Sequence, residues 1–397
     1  MKLNGLGLLC LLLVAEGSQA AGFALGEQNA SGLGNAFAGQ AAAAGDASTI
    51  FFNPAGMTLL DGRQFSLSAD YVAPSARFSG TATPALSSAT GGDAARSATI
   101  PAFYYSMDLR PGLKFGLGVT VPFGLSTEYD FPWAGETQAL KSKLETLDVN
   151  PALAWAVNDR LSLGLGVSWQ RIDAELTSYN PYLPGVVSMS GDDTGWGWNA
   201  GALYKIDEGT RVGLSYRSKI DYRLTGTLSP SASPAAYADI TTPDTASLAL
   251  FKRLNAKWDV LADLTWTGWS SFQELSVNGA NGSSILTIPE HWKDTMRYSL
   301  GFNYHAGERF TWRFGVSYDE TPIPDPQYRT PRIPDQNRTM VAFGGRYRLS
   351  GQTALDFGYA HLFINDAAIH HADSGVTLDG TYTDSADIFG LQINHRF

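Results

Sequence analysis

Short turns recur along this chain at a nearly even pitch, and that rhythm limits the folds available to it. The candidate turns lie at residues 110–112, 158–159, 207–209, 254–255, 306–308 and 350–351. Longer polar stretches, rich in Gly, Ser, Thr, Pro and Asp, separate them. Short turns at one end of the strands and long loops at the other are typical of a transmembrane β-barrel.

Apolar and polar residues alternate in the runs that flank the turns. Between Leu161 and Gln170, every second residue is apolar, and the residues between them are small or polar. The same alternation holds in 113–121, 210–217 and 310–318. A period of two places one face against an apolar medium and the other against a polar interior. Arg211 and Arg313 fall on the polar face; on the lipid face, a midplane Arg would cost about 2–4 kcal/mol.

The pattern predicts an all-β membrane protein, an antiparallel transmembrane β-barrel of about 14 strands with both chain ends on the periplasmic side. A secreted β-sandwich would also alternate, but it does not explain long strands with aromatic girdles at their ends. The girdle candidates are Trp169, Trp196, Trp198, Trp258 and Trp266, and the chain ends in the aromatic Phe397. The candidate strands lie near 64–76, 96–108, 112–125, 145–157, 160–176, 195–206, 210–227, 242–252, 256–270, 292–305, 309–319, 337–349, 352–363 and 385–397.

Residues 1–20 are predicted to form a secretory signal that is cleaved near Ala20. Lys2 precedes an apolar run over 6–14, and a small-x-small site follows it. The single cysteine, Cys10, lies within this signal, so no disulfide is expected. The rest of the chain has no apolar run of about 18 residues, which disfavours a helical membrane protein. A net charge of −10 argues against nucleic-acid binding. We therefore expect export to the outer membrane of a Gram-negative bacterium.

Residues 21–62 do not alternate and are rich in small residues. A barrel of this size leaves a channel unless something fills it. Phe23, Phe37, Phe51 and Phe52 argue against an exposed periplasmic tail, which is the alternative. We therefore predict an N-terminal plug over 21–62 inside the lumen and a barrel over 63–397.

Two stretches near the outer ends of the strands break the pattern. Pro122, Phe123 and Gly124 interrupt the third candidate strand, and proline and glycine there predict a bulge or kink, unless the strand simply ends. In the loop 126–145, Phe131 and Trp133 precede a predicted helix over the stretch that holds Leu140 and Leu144. We expect this loop to form an exposed apolar groove for ligand capture, with ordinary loop packing as the alternative. Its partners in the next outer loop would be Tyr179, Tyr182, Leu183, Val186 and Val187.

The chain resembles the outer-membrane long-chain fatty-acid and hydrocarbon transporters of the FadL/TodX type. The resemblance covers nearly all of the mature chain. No single motif is specific, and the order of the motifs carries the resemblance. The motifs begin with Ala21-Gly22-Phe23, Ser31-Gly32-Leu33-Gly34 and Asn53-Pro54-Ala55. They continue with 195–201, Tyr216-Arg217-Ser218, 266–270 and Ile333-Pro334-Asp335-Gln336.

The resemblance implies passive transport of long-chain fatty acids or similar hydrophobic molecules by a monomer without a cofactor. Ligand would pass from the outer groove to an apolar pocket beside the plug, which Phe23 fills and Leu25 lines. It would leave sideways through a lateral opening at Pro122, Phe123 and Gly124. The plug motif Asn53, Pro54 and Ala55 would point at this opening. The implied partners are the ligand, outer-membrane lipid and lipopolysaccharide.

The resemblance also implies basic residues that hold a carboxylate, and here the chain departs from the family. The corresponding positions fall near Leu176 and Ile288, which are not basic. We expect Arg171, Lys293 or Arg297 to substitute, all three being taken as inward-facing. If they do not, uptake of neutral alkanes or aromatic hydrocarbons becomes the alternative. The remaining inward charges are expected to brace barrel and plug: Lys205, Asp259, Asp263, Arg313, Arg346, Arg348 and Asp356.

Other function classes are less well supported. An outer-membrane lipase would need a converging nucleophile and base, but no histidine lies in a recognisable nucleophile motif. His370 and His371 with Asp366 and Asp373 could bind a metal, but a solvated loop is the better interpretation, and no metal site is predicted. A general porin would leave its pore open, which the plug contradicts.

Overall fold

The computed structural model describes residues 22–182, 185–231 and 235–397. The predicted signal sequence, its cleavage site near Ala20 and the groove residue Leu183 lie outside the described residues. No helix in the described ranges is long and apolar enough to cross a membrane.

The chain forms a closed, antiparallel 14-stranded β-barrel, which confirms the predicted fold class. Its strand segments begin with β1 Gln64–Thr83, β2 Ala98–Arg110, β3 Leu113–Thr120, β4 Gly124–Glu128, β5 Lys141–Ala156, β6 Leu161–Asn180 and β7 Gly185–Lys205. They continue with β8 Thr210–Arg217, β9 Ile220–Ser229, β10 Ala235–Thr242, β11 Thr245–Arg253, β12 Trp258–Thr267, β13 Glu274–Gly279 and β14 Ser284–Pro289. The last segments are β15 Thr295–His305, β16 Phe310–Asp319, β17 Arg338–Arg348, β18 Thr353–Ile364, β19 Ala367–Asp373 and β20 Val376–Arg396.

Several barrel strands are made of two segments in succession. β3 and β4 both pair with β5, β8 and β9 both pair with β7, and β18 and β19 both pair with β20. β10 and β11 likewise continue one another, while β13 and β14 form an additional hairpin at the outer end. The barrel closes between β1 and β20, which pair from Gln64 with Arg396 to Thr83 with Thr377.

The outer ends of several strands extend well beyond the predicted boundaries. β1 continues to Thr83, β7 already begins at Gly185, and β20 begins at Val376. In the extensions of β1 and β20 the alternation continues but is reversed: Phe78, Ala82, Leu378 and Tyr382 face inward and are buried, and most residues between them are polar. Within the membrane zone, the apolar side chains face outward and the polar ones inward, as predicted: Leu163, Leu165 and Val167 are exposed, while Ser168 and Gln170 are buried.

Residues 22–60 lie in the barrel lumen. They include α1 Ala30–Leu33, α2 Gln40–Ala43, α3 Thr49–Phe52 and a 3-10 helix, Pro54–Leu59. α1 contacts β17, β18 and β20, α2 contacts β8 and β11, and the 3-10 helix contacts β5, β6 and β7. These strands are spread around the whole wall, so the segment crosses the lumen. Glycines on the inner face allow this approach: a Cβ at Gly213 would lie 1.9 Å from the carbonyl oxygen of Ala41.

Buried ion pairs fasten the central part of this segment to the wall. Arg346 of β17 bonds Asp46 of the segment at 2.8 Å and Asp356 of β18 at 2.8 Å. Arg313 of β16 also bonds Asp356, which is buried. Charges buried in this way require partners, because an unpaired buried charge is costly. The inward charges Arg313, Arg346 and Asp356 therefore brace barrel and plug.

We expect Arg346→Met to lower the free energy of unfolding by about 3–5 kcal/mol, since it leaves the buried carboxylate of Asp46 without an ion pair and Asp356 with Arg313 alone. Unfolding of the purified protein in detergent, followed through the loss of heat-modifiable migration in gels, measures this. Arg348→Met on the same strand is the matched control: contrary to the expected bracing role, Arg348 is exposed, and within the described ranges its side chain bonds only the carbonyl oxygen of Glu308. Equal stability of the two variants would contradict a bracing role.

Candidate ligand-binding site

The third barrel strand is interrupted at Val121, Pro122 and Phe123. β3 ends at Thr120 and β4 begins at Gly124. Pairing between β2 and β3 starts only at Phe103 with Val119, and β4 pairs with β5 on its other side. Among the described residues, β4 does not pair with β2; an isolated bridge joins Thr127 of β4 to Ala95, which precedes β2. The wall therefore lacks a continuous ladder where Pro122 and Gly124 predicted a kink; their role as a lateral opening stays a prediction.

The start of the N-terminal segment forms a short strand bridge with this break. The backbone N–H of Leu25 donates to the carbonyl oxygen of Pro122 at 2.8 Å. The backbone N–H of Gly124 donates to the carbonyl oxygen of Phe23 at 2.9 Å. Residues 23–25 thus supply hydrogen bonds that a neighbouring strand would otherwise provide.

Two side chains satisfy the remaining backbone groups of the break. The Gln28 amide donates to the carbonyl oxygen of Val121 at 2.7 Å, and its Oε1 accepts from the N–H of Val121 at 3.4 Å. Thr146 Oγ1 on β5 accepts from the N–H of Phe123 at 3.0 Å and donates to its carbonyl oxygen at 2.8 Å. Tyr104 holds Gln28 in place by donating to its carbonyl oxygen at 3.0 Å. No sequence pattern marked Gln28 or Thr146.

Phe23 fills an aromatic chamber beside the break. Its ring is 2% exposed and lies 4.7 Å from Trp269, 5.7 Å from Phe272, 5.8 Å from Trp292 and 6.0 Å from Phe123, measured between centroids. Such edge-on and tilted ring pairs add to the free energy gained from burial. Trp269 and Trp292 were predicted to lie in strands, within 256–270 and 292–305, but β12 ends at Thr267 and β15 begins at Thr295, so both lie outside the strands, as does Phe272.

Gly22 and a buried acid fix the walls of this chamber. Gly22 has a positive φ of 62°, and a Cβ there would lie 2.6 Å from Trp292, so only glycine fits. The indole N–H of Trp292 donates to Glu290 at 2.9 Å. Burial raises the pKa of Glu290 to about 8, against the opposing effects of this hydrogen bond and of Arg332.

An internal cavity of about 170 Å³ adjoins the chamber. Its apolar lining includes Leu25, Phe52, Pro54, Pro122 and Phe123, so the break and the N-terminal segment both face it. Its charged lining consists of Glu27, Arg217, Asp263, Arg297, Asp319 and Arg338.

Of the three predicted carboxylate partners, only Arg297 faces the cavity. The inward orientation of Arg171 is wrong: it shares the parity of the lipid-facing leucines of β6 and bonds Asp173 and Asp192 on the outer surface, at 2.8 and 3.2 Å. Lys293 is exposed, because β15 begins at Thr295 rather than at 292.

The guanidinium of Arg297 is incompletely satisfied. Its Nη2 lies 3.5 Å from Thr265 Oγ1, and its buried Nε has no hydrogen-bond partner. Among the described residues, Arg297 forms no ion pair. A buried donor without a partner is costly, and a ligand carboxylate would satisfy it.

The predicted capture groove does not form as a single surface. The helix predicted after Trp133 is wrong, because β5 begins at Lys141. The mixed spacing of the leucines belongs to a strand on which Leu144 faces inward and packs in the Phe23 cluster. Trp133 stacks on Tyr129 at 3.9 Å and is buried with Leu140 in the outer loops. Phe131 is exposed, as are Tyr182 and Val186 of the next outer loop, and its ring lies 5.4 Å from that of Tyr179.

Instead, an apolar surface lines the inner wall near the outer end of the barrel. It has a cavity volume of about 50 Å³ between β6, β7, β9, β10 and β13. Several of its side chains belong to the same cluster as Phe23, so the surface leads towards the aromatic chamber. The inward alternation of Ile220, Tyr222 and Leu224 was the signal that could have located it. The apolar lining includes Leu176, Met189, Leu224, Ile240, Leu275 and Val277.

The Asn-Pro-Ala motif packs against β6 and β7. Asn53 donates to the carbonyl oxygens of Ala41 at 2.7 Å and Ala202 at 3.0 Å, and its Oδ1 accepts from the N–H of Ala55. The described hydrogen bonds of Asn53 do not reach 122–124. Only Pro54 faces the cavity that the break also lines.

Within the described ranges, no three metal-binding side chains come together. His370 bonds Asp379, and His371 lies 3.0 Å from the carbonyl oxygen of Gln327.

The family model described as "Outer membrane protein transport protein (OMPP1/FadL/TodX)" matches residues 11–397. The chain belongs to this family. A related long-chain fatty acid transport protein of Salmonella typhi is 27% identical to this chain, and the match covers 98% of this chain and 97% of that protein. Outer membrane protein P1 of Haemophilus influenzae is 30% identical, and the match again covers 98% of this chain and 97% of that protein.

Solved structures agree with this assignment. The crystal structure of a FadL homologue from Pseudomonas aeruginosa is 27% identical, with a TM-score of 0.88 over 94% of this chain and 99% of that chain. The toluene transporter TodX of Pseudomonas putida shares the fold at 19% identity, with a TM-score of 0.68 over 88% and 94% of the chains. The protein is an outer-membrane transport protein of a Gram-negative bacterium and not an enzyme.

We expect Gln28→Ala to loosen the break, because it leaves the N–H and carbonyl groups of Val121 without partners. Each unsatisfied group costs about 1–3 kcal/mol, so amide hydrogen exchange at 121–124 should accelerate by about tenfold or more. Exchange of the peptide that spans 113–128, measured by mass spectrometry in detergent, tests this. Gln138→Ala is the control, since Gln138 bonds the carbonyl oxygens of His371 and Val376 far from the break. Unchanged exchange in Gln28→Ala would show that Gln28 does not close the wall.

Proposed function

We propose that the protein carries long-chain fatty acids or similar hydrophobic molecules passively across the outer membrane. The observation that carries this proposal is the aromatic chamber that Phe23 occupies. The chamber lies next to the break in the third barrel strand, and residues 23–25 are hydrogen-bonded to that break. The relatives named for long-chain fatty acid transport support the choice of ligand class.

Ligand enters along the apolar surface of Leu176, Met189 and Leu224. It then replaces the Phe23 ring among Trp269, Phe272 and Trp292. An acyl chain suits this chamber because its methylene groups gain about 0.8 kcal/mol each on burial. Phe23, Leu25 and the cavity behind them are the ligand-binding region in this proposal.

Release proceeds sideways through the break at Pro122, Phe123 and Gly124. When residues 23–28 leave, the break loses the hydrogen bonds from Phe23, Leu25 and Gln28. Its wall then opens towards the membrane. Asn53, Pro54 and Ala55 hold the rest of the plug against β6 and β7, so the moving part is short.

A disulfide between residues 24 and 123 tests this route. Ala24 and Phe123 are antiparallel bridge partners, and the hydrogen bonds on either side make them a closely spaced pair suited to a disulfide. We expect oxidised Ala24→Cys/Phe123→Cys to reduce uptake of radiolabelled oleate to the level of cells without the protein. The reduced protein should restore uptake.

Each single cysteine variant is the control for oxidation alone. The assay uses a Gram-negative host that lacks its own transporter of this kind. Uptake that continues with the disulfide formed would refute movement of the segment. No uptake by the wild-type protein would refute the transport of fatty acids itself.

Uptake of neutral alkanes or aromatic hydrocarbons is a second candidate. It is favoured because the acidic and basic side chains that line the cavity balance one another. Arg297→Ala separates the two. Loss of a hydrogen bond to a charged group costs about 1.5–3 kcal/mol, so affinity for oleate should fall about tenfold to a hundredfold. Affinity for a neutral hydrocarbon should stay nearly constant. Equal changes for both ligands, measured by binding in detergent, would exclude Arg297 as the carboxylate anchor.

A further inference from the structure

Glu27 is a buried acid of the N-terminal segment that no part of the proposed route uses. Its side chain lines the cavity and is 5% exposed. Its Oε2 has no hydrogen-bond partner among the described residues. A buried carboxylate without a full set of partners is costly and needs a reason to be kept.

The surroundings of Glu27 are those of a carboxylate site. Arg297 of β15 and Arg338 of β17 attract its charge, while Asp319 of β16 and Asp70 of β1 repel it. Burial raises the pKa of the Glu27 carboxyl, and the two arginines oppose this rise. The preceding residue, Gly26, lies against Arg297: a Cβ there would be 3.3 Å from Nη1. The segment therefore runs directly past the guanidinium that has an unpaired Nε.

We propose that Glu27 is a specificity-determining residue, a carboxylate of the protein itself that competes with a ligand carboxylate for Arg297 and Arg338. The inference rests on the proposed function. A carboxylate ligand has to displace the Glu27 side chain or share the arginines with it. A neutral ligand of the same length does not meet this competition.

The position of Glu27 in the chain couples this competition to the wall. It stands between Leu25, which bonds Pro122, and Gln28, which bonds Val121. A ligand carboxylate that drives Glu27 from the arginines therefore pulls on both residues that close the break. Ligands with a carboxylate then promote their own release, and neutral ligands do so only through displacement of Phe23.

Glu27→Gln tests the inference, because it removes the charge and keeps the shape. Binding of palmitate and of hexadecanol, which have the same chain length, is measured in detergent for each variant. Removal of one competing charge should strengthen palmitate binding about tenfold, the equivalent of one pKa unit of interaction. Hexadecanol binding should change less than about twofold, within the ordinary effect of a neutral exchange. Glu136→Gln is the matched control: it removes a buried carboxyl of the outer loops, which accepts from the backbone N–H of Trp133 and does not line the cavity.

The outcomes separate this inference from the proposed function. If the wild-type protein binds neither ligand, the proposed function fails. If the wild-type protein binds both, and Glu27→Gln changes neither or changes both equally, only the role of Glu27 is overturned. Heat-modifiable migration verifies folding, and Glu27→Ala, which introduces no new contact, has to show the same selective gain. A gain in Glu136→Gln as large as in Glu27→Gln would also overturn the inference.

Discussion

Hydrogen bonding at the break in the third barrel strand is the interaction on which the rest of the site depends. A barrel wall in a membrane has no water with which to satisfy backbone groups, so an interrupted ladder needs other partners. Here Phe23, Leu25 and Gln28 supply them from the lumen, and Thr146 supplies them from β5. The N-terminal segment is therefore part of the wall. In the proposed route, departure of this segment from the break and interruption of the wall are therefore the same conformational change.

The plug divides into a fastened part and a lightly held part. Arg346 bonds Asp46, Arg211 donates to the carbonyl oxygens of Ala42 and Ala43, and Asn53 bonds β7. These contacts hold the segment behind Asn29 at several points of the wall. Residues 22–28 instead rely on ring contacts and on hydrogen bonds, one of them from the N–H of Gly22 to the carboxylate of Asp335 at 3.3 Å. In the proposed route, a hydrophobic ligand replaces the ring contacts. Such a division lets one end move while the lumen stays filled.

The sequence predicted the barrel well because its evidence is local and repeated. The alternation that ends with Val167 and Trp169 determines which face meets lipid, and the short turns determine how strands connect. The same rule would have placed Arg171 on the outer face. Arg171 was predicted to face inward because it lies near the position at which the family carries a basic residue, although it shares the parity of Val167 and Trp169.

The site itself could be predicted only in part. Arg297 lines the cavity and Phe23 fills the chamber beside it. Trp269 and Trp292 fell inside predicted strands but lie beyond the ends of β12 and β15, where no periodicity describes the path of the chain. Leu144 was mistaken for a helical residue, since a mixed three- and four-residue spacing also occurs on a strand. The tertiary contacts of Gln28 and Glu27 depend on how the plug folds back, which the sequence does not encode in any local pattern.

In the proposed route, ligand and protein compete for one chamber, and this competition would give a physical basis for selection by chain length. Phe23 and Leu25 each gain about 1.5–3 kcal/mol from burial, whereas each ligand methylene gains about 0.8 kcal/mol. A chain of a few carbons therefore gains no more than the side chains it displaces, and a chain of sixteen carbons gains far more, on the order of 12 kcal/mol. The return of the same side chains then lowers the net cost of release, because the chamber is refilled rather than left empty. Tight capture and escape are compatible in one passive protein for this reason.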